Sequence, residues 1–117
     1  MLDRAFAEHF AAEWIDAWNS HDLTRILEHY AEDFEMASPY IAQIAGEPSG
    51  RLKGKAAVGA YWAAALQRMP DLRFTSCQVL IGADSLTVHY QGARGPAAEV
   101  FRFGADGKVV SAAAHYA

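Results

Sequence analysis

A carboxylate in line with two phenyl rings is the strongest constraint in this sequence. Residues 98–110 read Ala-Glu-Val-Phe-Arg-Phe-Gly-Ala-Asp-Gly-Lys-Val-Val. These are two runs of β-formers around an Asp-Gly pair whose glycine accepts a positive φ, the pattern of a hairpin. Side chains alternate along a strand, so Glu99, Phe101 and Phe103 share one face while Val100 and Arg102 share the other. If the phenyl face is buried, Glu99 is buried with it, and an unpaired ionised carboxylate does not persist in an apolar interior. Three states are then open to Glu99. It is a rim carboxylate paired with Arg94 or Arg73, a buried structural acid bonded to a tyrosine or tryptophan, or a ligand-facing acid with a raised pKa that donates to a carbonyl oxygen or shuttles a proton.

The rest of the composition narrows the setting of that acid. A chain of 117 residues, 52% apolar, fits one domain over residues 1–117 with its own core. A formal charge of −4 with no run of lysine or arginine argues against a surface that tracks phosphates, so nucleic acid is not an expected partner. No span approaches membrane length, and the first eight residues carry acids where a secretion signal needs an unbroken apolar run, so the expected location is cytoplasmic, without a membrane partner. Cys77 is the only cysteine. It excludes an internal disulfide and a thiolate metal cluster, and is expected to be a small apolar strand residue rather than a nucleophile.

Along the chain, Phe6, Phe10, Trp14 and Trp18 recur every fourth position, which predicts an amphipathic helix over residues 3–19, widened by Ala7, Ala11 and Ile15. Asn19-Ser20-His21 breaks it, and Ser20 or Asp22 can cap a short second helix running through Leu23, Ile26, Leu27 and Tyr30. Residues 34–38 alternate as a strand that places Phe34, Met36 and Ser38 on one side and stops at Pro39. Residues 40–54, with three glycines and a proline, read as an irregular loop of the kind that forms a lid or an interface. A third helix follows over residues 55–69 with Val58, Tyr61, Trp62, Ala65 and Leu66 as its apolar stripe. Strands over 72–81, 86–91, 99–103 and 109–116 complete an α+β order. Helices on one face of a curved antiparallel sheet are the economical packing for that order.

The ordered set Trp14 to Leu23, His29-Tyr30-Ala31-Glu32-Asp33, Ser38-Pro39, Gly54-Lys55-Ala56-Ala57-Val58, Phe101-Arg102-Phe103-Gly104 and Gly107-Lys108-Val109-Val110 resembles the nuclear transport factor 2-like superfamily. Within it the chain resembles SnoaL-like proteins and, more distantly, ketosteroid isomerases. The resemblance implies a cone-shaped, cystatin-like fold in which three N-terminal helices and a bent sheet enclose a pocket. It also implies a choice among isomerases, dehydratases, aldol-type cyclases, epoxide hydrolases and proteins without catalysis. Against the steroid isomerases, Ser38 stands where an aspartate moves the proton, Trp14 where a tyrosine donates to the oxyanion, and Glu99 where a protonated aspartate does so. Serine without a base is a poor proton acceptor and an indole N–H is no practical acid, so steroid isomerisation itself is not expected. The Asp-Arg-Asp arrangement of the fold's epoxide hydrolases is not found either.

The expected site therefore centres on Glu99, with Ser38 as its catalytic companion. Its expected walls are Trp14, Trp18, Tyr30, Phe34, Met36, Tyr40, Tyr61, Trp62, Phe74, Leu86, Val88, Phe101, Ala112 and Tyr116. The expected ligand is a small apolar organic molecule. The expected chemistry is cofactor-independent acid/base isomerisation, dehydration or cyclisation of a carbonyl compound, and a non-catalytic binding or sensing module is the alternative. Of the histidines, His9, His21 and His29 belong on helix surfaces or ends. His89 and His115 join Thr87, Gln91 and Arg102 on the outer sheet face, where the resemblance implies a homodimer. No spacing of histidines and acids matches a metal-ligand set.

Overall fold

The every-fourth aromatic stripe forms the helix around which the core is assembled. The computed structural model describes residues 2–117 apart from the side chain of Cys77, so the expectation for that thiol lies outside the described residues. Helix α1, Arg4–Ser20, starts where the Asp3 carboxylate accepts the Phe6 N–H at 2.7 Å and stops at His21, whose φ of 60° is left-handed. Its inner face buries Phe10, Trp14, Ile15 and Trp18, each contributing about 1.5–3 kcal/mol by removal from water. Asp22 caps a single turn, α2 (Leu23–Leu27).

Tyr30 does not continue that helix. It opens strand β1, Tyr30–Ala37, because the backbone leaves the helix to pair with the last strand, beginning with the Val109 N–H to the His29 carbonyl at 2.9 Å. The 40–54 segment also departs from the expected loop. Ser38 caps and Pro39 opens a helix, α3 (Pro39–Ala45), which ends on Gly46 at φ 74°. A short strand, β2 (Arg51–Lys53), then pairs antiparallel with β1. Serine before proline is a helix-start signal that the glycines downstream obscure. Ser38 accordingly lies just beyond the strand rather than within it. Helix α4, Lys55–Arg68, follows.

The remaining strands form a meander: β3 (Thr75–Ile81), β4 (Ser85–Gly92), β5 (Gly95–Phe103) and β6 (Val109–Tyr116), in a six-stranded sheet ordered β2-β1-β6-β5-β4-β3. The sheet is mixed rather than wholly antiparallel, because β1 lies parallel to β6. Two boundaries shift. Strand β5 begins at Gly95 instead of residue 99, since Gly92 pairs with Gly95 and only Ala93 and Arg94 form the turn. Strand β3 begins at Thr75 instead of residue 72, because Asn19 takes over the backbone of Phe74: its Nδ2 donates to the Phe74 carbonyl at 2.9 Å and its Oδ1 accepts the Phe74 N–H at 2.7 Å. Gly107, at φ 80°, makes the expected turn before β6.

Alternation along β4, β5 and β6 buries Leu86, Val88, Tyr90, Glu99, Phe101, Ala112 and Ala114 against the helices. His89, Gln91, Arg102 and His115 are exposed on the opposite face, with Thr87 half-buried. Asn19 thus ties α1 to the strand edge across 55 residues of chain. Asn19→Ala removes both bonds and strands the Phe74 backbone groups, so unfolding stability in urea should fall by about 1–3 kcal/mol without a change in the m-value.

Candidate functional site

Glu99 is 4% exposed and lies on the wall of a cavity of about 70 Å³. The register explains the space beside it, because its cross-strand neighbours are Val88 on one side and the small Ala114 on the other. Tyr90, diagonal to it on β4, donates its hydroxyl to Glu99 Oε1 at 3.3 Å. No cation pairs with Glu99 among the described residues, which removes the rim-carboxylate state with Arg94 or Arg73. Burial pushes the Glu99 carboxyl up to about 8, while the Tyr90 hydrogen bond pulls it partly back. At neutral pH the group is mostly a neutral acid with a proton to donate.

The wall around it is aromatic. Trp14 stacks on Phe74 at 5.6 Å and meets Tyr90 edge-on at 5.1 Å, and Trp18 meets Trp62 edge-on at 5.2 Å. Trp14 is not free to act on a ligand oxygen, since its Nε1 donates to the Tyr30 hydroxyl at 2.9 Å. The Trp18 indole N–H, in contrast, is buried with no hydrogen-bond partner among the described residues.

Ser38, 4% exposed, is the hub of a second cluster. Its Oγ accepts the Tyr40 N–H at 3.2 Å and the Tyr61 hydroxyl at 3.4 Å. No carboxylate or imidazole partners it among the described residues, so it caps α3 and holds the Tyr61 phenol, and nothing there activates it as a proton acceptor. Burial, followed by the charge that Glu99 carries when ionised, raises Tyr116, Tyr90 and Tyr30 well above the ordinary phenol range. Tyr61 is raised by burial and partly lowered by Ser38. These phenols stay protonated and act only as hydrogen-bonding groups.

Of the expected wall residues, Trp14, Trp18, Met36, Tyr40, Tyr61, Trp62, Phe74 and Tyr116 do line the cavity with Glu99. Tyr30, Phe34, Leu86, Val88, Phe101 and Ala112 do not. They are buried in the core outside it, as in the Tyr30–Phe34 and Phe10–Phe101 ring contacts at 4.4 and 4.9 Å. Alternation tells which face a residue takes but not its depth along the cone. Tyr90, Ile44, Ala65, Met69, Leu72 and residues 92–95 of the β4–β5 turn, Arg94 among them, complete the wall. Tyr90 was within reach of sequence reasoning as the inward neighbour of Val88, whereas Ile44 needed α3 and Arg94 needed the two-residue turn.

The match of the SnoaL-like domain model over residues 11–112, most of the chain, decides the family. This chain is a SnoaL-like protein. The SnoaL-like protein is similar to a SnoaL-like protein of unknown function from Burkholderia thailandensis E264, at 61% identity over 98% of this chain and 97% of that one, with a TM-score of 0.94. More distant structures share the fold alone. The epoxide hydrolase/cyclase-like enzyme SalBIII, of pyran ring formation in the polyether salinomycin, is 17% identical over 100% of this chain and 95% of its own, with a TM-score of 0.75. A protein of unknown function with a cystatin-like fold from Methylobium petroleophilum PM1 is 21% identical over 99% and 78%, with a TM-score of 0.76. No curated protein matches the chain. The nuclear transport factor 2-like, α+β reading of the sequence is thereby established, with the helices packed on a curved mixed sheet.

The state of Glu99 has a measurable consequence. Its carboxyl pKa is about 8 folded and near 4.5 unfolded, so between those values the native state holds a proton that the unfolded state has lost. Stability is therefore fully present below about pH 4.5 and declines as pH rises through about 8. Carbon-detected NMR should find the Glu99 titration near that upper value. Glu99→Gln should flatten the decline in Tm across this range, and a wild-type midpoint at or below that of free glutamate contradicts the assignment.

Proposed function

We propose that this SnoaL-like protein binds a small, mostly apolar carbonyl compound and activates it by hydrogen-bond donation from Glu99, without a cofactor. The observation that carries the reading is a buried carboxyl on the wall of an aromatic cavity, bonded to Tyr90 and, among the described residues, to no cation. In its protonated form it donates to a carbonyl oxygen and stabilises the negative charge that develops there when an α-carbon loses a proton, the first step shared by isomerisation, dehydration and aldol-type cyclisation. Tyr61, held by Ser38, and Tyr116 offer further polar tips for orienting the ligand.

One observation favours a second reading, binding without turnover. Among the described cavity residues there is neither a second carboxylate nor a histidine to take the proton from carbon. The two readings separate with acetophenone in D2O. Under the first, the protein accelerates exchange of the ketone's methyl protons with solvent, water serving as the base, and Glu99→Leu lowers that acceleration roughly 10²-fold, the size of a lost oxyanion donor. Under the second, acetophenone perturbs the Glu99 carboxyl resonance but its exchange is not accelerated. A variant with unchanged exchange and unchanged binding overturns both.

A cytoplasmic homodimer belongs to the same proposal. The single cysteine suits a reducing compartment, and no helix among the described residues is long and apolar enough to cross a membrane. The outer sheet face supports the dimer, with half-buried Ala98, Val100 and Ala113 framed by His89, Arg102 and His115 and with Leu80 48% exposed. Sedimentation should give a dimer for the wild type and a monomer when His89→Glu and Arg102→Glu are combined. An unchanged dimer assigns the contact elsewhere.

A further inference from the structure

Arginines from two separate stretches of the chain, Arg68 and Arg73 from one and Arg94 from the other, meet beside the cavity. Arg68 ends α4, Arg73 lies in the connection to β3, and Arg94 forms half of the β4–β5 turn, yet they line one open groove. That groove shares Met69, Leu72, Gly92, Ala93 and Arg94 with the wall of the cavity, so the two are continuous. Among the described residues none of the three arginines has an ion-pair partner, and the groove's one acid is Asp71. The Arg94 guanidinium lies over the Tyr40 ring at 4.8 Å, and the Tyr40 ring in turn meets the Tyr116 ring at 4.4 Å, tilted by 42°. A local excess of positive charge on a chain of net charge −4 is thus held against the tyrosine pair beside the cavity.

The interior complements this mouth. The cavity wall carries one carboxyl, that of Glu99, and among the described residues no cation pairs with it. The cavity is partly open, and its volume of about 70 Å³ is well below the ~150 Å³ that takes a benzene ring, so an organic ligand of that size or larger reaches out of it toward the adjoining groove.

We propose that the ligand of this pocket is a carbonyl compound carrying an anionic group, with its carbonyl end enclosed beside Glu99 and its anionic end held at the mouth by Arg94, assisted by Arg68 and Arg73. The proposal rests on the reading of the pocket as a carbonyl site and adds the class of ligand. Arg94 contributes affinity and orientation and takes no part in proton transfer. Because the arginines are exposed, their effect is modest, falls with salt and leaves folding untouched.

The test compares acetophenone, 4-acetylbenzoate and benzoate by quenching of the tryptophan fluorescence and by the Glu99 carboxyl resonance. At low ionic strength 4-acetylbenzoate should bind about fivefold or more tighter than acetophenone, the size of an exposed charge contact. Arg94→Gln should remove most of that advantage, and the triple variant Arg68→Gln, Arg73→Gln, Arg94→Gln all of it, read in each variant as the ratio of the 4-acetylbenzoate and acetophenone affinities. Equal binding of acetophenone and 4-acetylbenzoate by the wild type, or an advantage that survives the triple variant, overturns the proposal while leaving the carbonyl reading in place. Arginine-dependent binding of benzoate and 4-acetylbenzoate with no response at Glu99 does the reverse, removing the carbonyl end and leaving the anion mouth. Failure of all three probes to bind overturns both.

Discussion

A carboxylic acid kept out of water without a counter-charge is the constraint on which the rest of the site depends. Charge at Glu99 is disfavoured by burial, and the one direct compensation is a single hydrogen bond from Tyr90. The neutral state is maintained by what surrounds it: Trp14, Phe74 and Tyr90 on one side, and aliphatic or small residues from the neighbouring strands on the other. An arginine within reach would drop the pKa and turn the donor into a spectator salt bridge. The protein instead keeps Arg94 at the mouth, stacked on Tyr40.

The Ser38 cluster is the counterpart of that acid, and it explains what kind of site this is. Ser38 carries a hydroxyl committed to capping α3 and to accepting from Tyr61, and it does not line the cavity with Glu99. Among the described cavity residues no second carboxylate competes with Glu99 for protons or repels an incoming anion. A wall that offers donors and no strong acceptor beside Glu99 favours electron-rich oxygen atoms on a ligand.

Much of this was legible in residue order, and the parts that were not have physical reasons. Period-two alternation placed Glu99, Phe101 and Ala112 on the buried face and His89, Arg102 and His115 on the other, because a strand's faces follow directly from its spacing. The same periodicity carries no information about depth, which is why Phe101 and Val88 were expected on a wall and lie in solid core. The 40–54 segment hid a helix and a strand, since Gly46 and Gly50 are at once loop signals and the left-handed positions that end and join those short elements. The arginine groove was invisible for a different reason. Arg68, Arg73 and Arg94 form no run along the chain, and their proximity is created by the end of α4 approaching the β4–β5 turn.

That last juxtaposition gives the site two parts of different chemistry. The buried Glu99 carboxyl lies on the cavity wall with the phenols of Tyr61 and Tyr116, and the guanidinium groups line the groove that adjoins it. An anion beside Glu99 would oppose ionisation of that carboxyl and leave its own charge poorly solvated, whereas in the groove it keeps water and gains the arginines. A neutral ligand gains nothing from this division in either orientation. On the proposed reading, a ligand with one polar carbonyl and one charged end takes a single orientation, the one that sets its carbonyl oxygen toward Glu99.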